Sequence, residues 1–443
     1  MIVILLSGGS GMRLWPLSNE VRSKQFIKIF NDPTGKRESM VQRVYRQLKT
    51  VDPDCSVTVA TARSQIPAIL NHLGKKVHIS IEPCRRDTFP AIVLATAYLH
   101  DVMGIPEDEV AVVCPVDPYV ELGYFEALKR MDAQAAKGEA NLVLMGIEPT
   151  YPSKKYGYII PNDCGAVSTV KMFKEKPDAA AAQEYIAGGA LWNGGVFAYK
   201  LKYMLNRAKE LLNCTKYQEL YDHYEELPKI SFDYAVVEKE PSIQVIRYRG
   251  EWKDVGTWNT MVEAMHGNTL GHVILNEQCE NVHVLNELEV PVLAMNVQNL
   301  IISASPQGIL VTEKHASAHI KPFVGMIDQR ARFYEKAWGE IMVLDVGESS
   351  MTLRLKLIPG GTFRYHRHEL RDESWTVVEG TGEAVVNDQT IPLHPGSVVN
   401  LPRGCMHNLV AYTHMTVIEI MCGEKLSDDD YIKFPRDEKR PHF

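Results

Sequence analysis

From residue 1 to about residue 265, apolar runs of strand length alternate with longer segments of helical period. IVILL, SVTVA, AVVCPV and NLVLMGI are near-continuous apolar runs, as a strand covered on both faces requires, whereas Met40 to Leu48 and Ala91 to His100 space their apolar positions for a helix. This alternation predicts an α/β domain around a mostly parallel sheet. After Gly267 the pattern changes to short stretches, HVILNE, NVHVLNE, PVLAMNV, NLIISAS and GILVTE, with turns between them and no convincing helix. Such spacing predicts a small stacked, β-helix-like segment over residues 266–330. From about Phe333 a third pattern begins, with SMTLRLKLI, ESWTVVEG, GEAVVN, GSVVNL and HMTVIEIM separated by Gly, Pro and Asn. Short strands between frequent turns predict a β-barrel or jelly roll over residues 331–443.

A chain of 443 residues accommodates two or three such domains with full-sized cores. The net charge of -7 gives no basic footprint for nucleic acid or for an anionic membrane, so small-molecule chemistry is expected. Eight scattered cysteines without a CxxC pair fit a reducing compartment. Met1 to Leu6 is too short for a membrane span and lacks the basic region and cleavage site of a signal peptide, so a cytoplasmic location is expected.

The first apolar run is followed by LSGGSGMRLWP, Leu6 to Pro16. Glycines after a first strand let backbone N–H groups approach a phosphate closely. The stretch from Gly9 to Leu14 fails the dinucleotide GxGxxG pattern at its last position, and no GK[ST] follows as in a P-loop. What remains is a glycine loop with its own cation, Arg13, and a second at Lys24. A guanidinium holds phosphate bidentately and an ammonium acts as a point charge, so the two together can cover a triphosphate. The glycines alone are equally well read as a tight turn.

The longer string LSGGSGMRLWPLSNEVRSKQF resembles the signature loop of the sugar-phosphate nucleotidyltransferases, and among them the bacterial mannose-1-phosphate guanylyltransferases that carry a C-terminal cupin. IEPCRRDTFPAI is similar to that family's EPxxRNTAPA segment, PVDPY to its SDH segment and FKEKPD to its EKP motif. GIEPTYPSKKYGYI, LWNGGVF, ISFDYAVVEK and WKDVGTW complete a set of matches in the family's order. The resemblance implies a Rossmann-like nucleotidyltransferase domain with a mostly parallel mixed sheet, a homodimer, and transfer of a nucleotidyl group from GTP to mannose 1-phosphate.

It also implies site residues. Leu6, Gly8, Gly9, Gly11, Arg86 and Glu82 would hold the nucleotide, Glu82 by accepting from guanine N1–H and the 2-amino group. Arg13 and Lys24 would face the triphosphate, and Lys176 the phosphate of the sugar. Gly157, Tyr158, Glu175 and Asn193 would contact the sugar. Asp117 ends an apolar run and Asp254 follows another after a short turn, so both can reach one sheet edge and hold Mg²⁺. Taken singly, each Asp is a turn residue, Glu175 and Lys176 a surface pair, and Asn193 a turn residue. Three positions depart from the family: Ser23 stands where it usually has Pro, Asp87 replaces Asn, and Pro118 replaces the His after the metal-binding Asp. These keep another sugar 1-phosphate, another nucleotide or a non-catalytic nucleotide-sugar sensor open as alternatives.

A second constellation lies near the C-terminal end. Gly360-x5-His366-x-His368-x4-Glu373-x6-Gly380 reproduces the first cupin motif, and Gly396-x5-Pro402-x-Gly404-x2-His407 most of the second, with Ala411 in place of the closing Asn. His366 and His368 alternate along a strand and so share a face. With Glu373 and His407 they form a set that suits Zn, Fe, Mn or Ni. Cupins at this position in the family are often mannose-6-phosphate isomerases, which usually have Arg directly after the second His. Here Glu369 and Leu370 intervene before Arg371. Isomerase activity, dimerisation and ligand sensing therefore stand as alternatives for the cupin.

Overall fold

A computed structural model describes residues 1–8, 12–19, 21–327, 330–424, 426 and 428–434. Two compact units emerge, residues 1–11 with 23–267, and residues 12–22 with 268–443.

The first unit is built on a nine-stranded mixed sheet. In chain order its elements include β1 (Ile2–Leu6), α1 (Met40–Val51), β2 (Ser56–Ala62), β3 (His78–Glu82), α2 (Thr88–Ala97) and β4 (Val110–Pro115). There follow β5 (Pro118–Val120), β6 (Leu142–Ile147), β7 (Tyr158–Pro161), β8 (Val167–Lys174), β9 (Leu191–Lys200), α3 (Phe232–Ala235), β10 (Ile243–Tyr248) and β11 (Trp252–Asp254). The sheet order is β3-β2-β1-β4-β9-β6-β10-β8-β7. β1 pairs in parallel with both β2 and β4, which accounts for its uninterrupted apolar run; Val3, Ile4 and Leu5 are fully buried. β9 runs antiparallel between β4 and β6, a direction that periodicity cannot reveal. Its register breaks between Asn193 and Phe197, where Gly195 takes a φ of 69°.

Parallel pairing lines up the carboxyl ends of β1, β3 and β4, so Leu6, Glu82 and the residues just after Pro115 share one edge. The helices supply bulk beneath that edge. α2 is buried nearly all round, as its TFPAIVLATA sequence demands, whereas α1 buries only Met40, Val41, Val44, Gln47 and Leu48. α1 starts at Ser39, whose Oγ accepts from Gln42 N while Gln42 Oε1 accepts from Ser39 N at 3.0 Å; the same hydroxyl lies 2.7 Å from His72 Nδ1. Ser39→Ala is expected to lower unfolding stability by about 1–2 kcal/mol, measured by urea denaturation of the full chain.

The second unit opens with stacked strands. β12 (Thr269–Leu270), β14 (His283–Asn286) and β16 (Leu300–Ser305) form a parallel ladder, with β17 (Gly308–Glu313) antiparallel at its edge; β13 (Val273–Leu275) and β15 (Val292–Ala294) form a second parallel ladder. Residues 12–22 belong to this unit. Arg22 makes a bidentate pair with Glu287 at 2.7 and 2.9 Å, and Ser305 Oγ donates to Pro16 O. The remainder is two antiparallel sheets, one of six and one of five strands, around one core that includes Leu353, Leu355, Trp375, Ala384, Leu409 and Val417. This is the jelly-roll arrangement that the turn spacing predicts. Among the described residues, no helix is long and apolar enough to cross a membrane.

Candidate functional site

The carboxyl edge of the first sheet collects the residues expected to hold the nucleotide. Glu82 ends β3 and is 8% exposed; Tyr224 OH donates to its Oε2 at 3.2 Å. Burial pushes the Glu82 carboxyl up to about 7, against the opposing pull of Tyr224 and Arg85. A Cβ at Gly8 would come within 3.8 Å of Glu82 Oε1, so the glycine loop starts directly beside this carboxylate. Gly9 and Gly11 lie outside the described residues. Arg86 donates to Glu225 O. Arg13 is exposed on a 3₁₀ turn, Met12–Leu14, in the segment that belongs to the second unit.

Lys24 and Asp117 meet directly: Nζ donates to Oδ2 at 2.8 Å. Partial enclosure pushes the Asp117 carboxyl up, but the charge and hydrogen bond of Lys24 hold it below its ordinary value. Asp117 immediately precedes β5, and β5 pairs antiparallel with β11 so that Pro118 stands opposite Asp254. The two aspartates expected to share an edge are thus neighbours across one short ladder. Their donors are hard carboxylate oxygens, the chemistry that suits Mg²⁺, and Lys24 already supplies a positive partner for one of them.

Two departures have local explanations. Asp87 caps α2, its carboxylate accepting from Thr88 N at 2.8 Å, with φ at 69°. Ser23 adopts a φ of -71°, which proline also adopts, and its hydroxyl accepts from Gln65 Nε2 at 2.6 Å. Pro118 begins β5.

A second cluster forms around Glu175, whose side chain is 7% exposed and pairs with Lys176 at 2.7 Å. The carboxylate raises the Lys176 pKa chiefly through this hydrogen bond. A Cβ on Gly157 would stand 2.4 Å from Glu175 Oε2 and 3.3 Å from Asn193 Cβ, so glycine is required for this approach. Tyr158 is fully buried and its hydroxyl is used internally, bonding to Ser153 N and O and accepting from Trp192 Nε1. Its phenol builds the wall and offers no free hydroxyl.

Sequence reasoning missed two carboxylates here. Asp233, on α3, accepts from Asn193 Nδ2 at 2.7 Å, and Glu238 accepts from Glu175 N at 3.2 Å. Both come from ISFDYAVVEK, a string carrying the family resemblance to which no contact was assigned. Gly195 N donates to Asn193 Oδ1 at 3.1 Å, so the amide is held from both ends in one orientation. Burial, and next the charge of Glu175, push the Asp233 carboxyl up to about 7. A cavity of about 390 Å³, also unforeseen, adjoins Asp254 and is lined by Tyr151, Tyr156, Trp192 and Trp252. Ring contacts of 5.0 to 5.3 Å join these aromatics into one wall.

In the second unit, His366, His368, Glu373 and His407 are all buried, with one donor atom from each within 4.8 Å of the others. They sit on β18 (His366–Arg367), β19 (Arg371–Glu379) and β20 (His407–Ala411) or directly beside them. All three histidines direct Nδ1 at a backbone carbonyl, of Arg364 at 2.7 Å, of Asp430, and of Cys405 at 3.0 Å. A carbonyl only accepts, so Nδ1 carries the proton and the neutral ring turns the Nε2 lone pair toward the cluster. Burial pushes His366 down to about 3 and His368 also below its ordinary value, which keeps both rings neutral. The donors therefore fit a divalent metal.

Arg371 joins this cluster. Although its spacing from His368 differs from the family's, β19 buries alternate residues from 371 to 377, so Arg371 points inward with Glu373 and Trp375. Its Nε donates to Glu373 Oε1 at 2.8 Å. The signal was the strand period, not the motif spacing.

An α/β unit whose strand ends gather carboxylates and a lysine, joined to a metal-competent cupin, defines a two-part enzyme of the nucleotide-handling class. Residues 2–269 match the family model "Nucleotidyl transferase", and residues 327–436 match "Mannose-6-phosphate isomerase C-terminal". The chain belongs to the nucleotidyl transferase family and is a nucleotidyltransferase, as its motifs imply. It is 29% identical to the xanthan biosynthesis protein XanB of Xanthomonas campestris pv. campestris, over 98% of each chain. It is also 29% identical to a mannose-1-phosphate guanylyltransferase of Klebsiella pneumoniae, again over 98% of each. A solved structure from Thermus thermophilus, described as a mannose-1-phosphate geranyltransferase, superimposes with a TM-score of 0.61 at 29% identity, covering 73% of this chain and 98% of that one.

Proposed function

We propose that this enzyme transfers the guanylyl group of GTP to mannose 1-phosphate in the cytoplasm, giving GDP-mannose and pyrophosphate. The observation that carries this reading is the Lys24–Asp117 pair beside the strand pairing that sets Asp254 opposite Pro118, in a chain similar over nearly its full length to relatives named for that reaction. Asp117 and Asp254 would hold Mg²⁺, which polarises the phosphates when bound. Lys24 would turn from Asp117 to the triphosphate, and Lys176 would hold the sugar's phosphate, which is itself the nucleophile. No covalent enzyme intermediate is needed, because alignment and charge neutralisation supply the rate. Asn193, fixed by Asp233, and Glu175 would take sugar hydroxyls, and the aromatic cavity is large enough for a monosaccharide ring.

Glu82 gives this reading a pH signature. Burial pushes its carboxyl up to about 7, so the ionised fraction falls steeply below neutral pH. A guanine presents two donors, so the ionised form is required. The KM for GTP is expected to rise as pH falls below 7, approaching about tenfold per unit, while Glu82→Gln raises it at pH 8 and flattens the profile. Steady-state kinetics from pH 6 to 9 check this.

The direct experiment is pyrophosphate release with Mg²⁺, pairing each common nucleoside triphosphate with a panel of sugar 1-phosphates. Turnover confined to GTP with mannose 1-phosphate supports the proposal. Another productive pair would transfer the same chemistry to that substrate, and silence throughout would favour the sensor alternative. The inward placement of Arg371 favours a second reading for the cupin, isomerisation of a hexose 6-phosphate. Absence of turnover of fructose 6-phosphate with added divalent metal, in protein active as a transferase, would remove it.

A further inference from the structure

A divalent ion entering the cupin cluster meets a positive charge already in place. Arg371 Nε donates to Glu373 Oε1 at 2.8 Å, and Arg371 Nη2 lies 3.2 Å from His368 Nε2. The guanidinium can only donate, and His368 has its proton on Nδ1. The second contact is therefore a hydrogen bond into the lone pair that a metal would use. The guanidinium thus engages donors on two of the four ligand residues. His407 Nε2 and Glu373 Oε2 lie 3.4 Å apart, and the buried carboxyl of Glu419 also faces Glu373. Arginine thus occupies one oxygen of Glu373 and the cluster-facing nitrogen of His368.

We propose that Arg371 is a built-in competitor of the metal. The cupin centre exchanges between a guanidinium-capped state and a metal-filled state, and metal affinity is set by the cost of moving this side chain as much as by the ligands. Arginine does not lose its proton at accessible pH, so it cannot make way by titration; it must withdraw from Glu373 and His368. Remaining beside a divalent ion would place like charges together in a dry interior, where screening is weak. Removing the guanidinium has two opposite effects. Without metal it leaves the Glu373 carboxylate buried and unpaired, and with metal it clears the coordination space.

The test uses the full-length chain, stripped with a chelator, and measures Zn²⁺ affinity by competition with a chromophoric chelator. Arg371→Met and Arg371→Gln are compared with the wild type, the glutamine keeping a donor near Glu373 without the charge. Both are expected to bind Zn²⁺ at least about tenfold more tightly, and Zn²⁺ should raise their Tm by more than that of the wild type. A folded variant of either kind with unchanged or weaker affinity would overturn the proposal. If Arg371→Met does not fold without metal, recovery of its fold on adding Zn²⁺ supports the competitor role, and the affinity of Arg371→Gln decides the matter otherwise. The readout is independent of transferase activity, so its failure leaves the function proposed for the first unit untouched.

Discussion

Asp254→Asn is expected to lower the rate of pyrophosphate release by about 10³-fold or more while leaving the fold intact. The substitution keeps the size and the strand position of the side chain, and Asp254 sits on a partly exposed three-residue strand, so the packing cost is small. What it removes is a carboxylate on the strand residue directly opposite Pro118, the neighbour of Asp117. An amide oxygen is a poor substitute for a carboxylate toward Mg²⁺, and the loss falls on the charge developing in the transition state. Measuring kcat at saturating Mg²⁺ separates a weakened ion from a lost one, and circular dichroism controls for folding. Activity within a few-fold of wild type would remove Asp254 from the metal site. Asp117→Asn should behave alike in rate, and it additionally removes the carboxylate that Lys24 Nζ meets at 2.8 Å.

Gly157→Ala is expected to raise the KM for the sugar 1-phosphate by about 10- to 100-fold, with the KM for the nucleotide nearly unchanged. The added methyl would stand 2.4 Å from Glu175 Oε2 and 2.8 Å from Phe173 Cζ. Phe173 is buried, at 8% exposure, and cannot yield much. The Glu175 carboxylate must therefore move, and with it the pair to Lys176 and the geometry presented to the sugar. A rise in both Michaelis constants together would mean that the methyl disturbs the whole sheet edge, and would argue against a separate sugar subsite around Glu175. Asp233→Ala offers a companion check, because loss of its acceptor would release the Asn193 amide from its single orientation.

Much of this was legible along the chain. Apolar runs announced β1, β2, β4 and β6, because a strand covered on both faces favours apolar residues at successive positions, with small hydroxyls such as Thr58 tolerated, and that requirement is local. The cupin ligands were legible for a related reason: two histidines on alternate positions of one strand must share a face, whatever the rest of the fold does. Asp117 and Asp254 were brought toward one sheet edge by their positions near the ends of apolar runs, whereas Glu82 was named only through the family resemblance. Other features were not recoverable in this way. The antiparallel direction of β9 leaves no trace in its composition, yet it carries Asn193 to the cluster of Glu175 and Asp233. Motif spacing left the place of Arg371 open, and the strand period carries it into the barrel.

The sequence by itself determined the α/β, stacked-β and barrel patterns and many of the strands, since these follow from burial and spacing over a few neighbouring residues. It did not determine the helical turns at Ala316–His319 and Lys321–Val324 or the start of α2 at Thr88. Only the tertiary structure decided which side chains meet. Lys24 reaches Asp117 across 93 positions, Asn193 reaches Asp233 across 40, and Tyr224 reaches Glu82 across 142. Contacts of that range depend on strand direction, sheet order and register, which are set by the packing of the whole sheet, and no local pattern of polar and apolar residues encodes them.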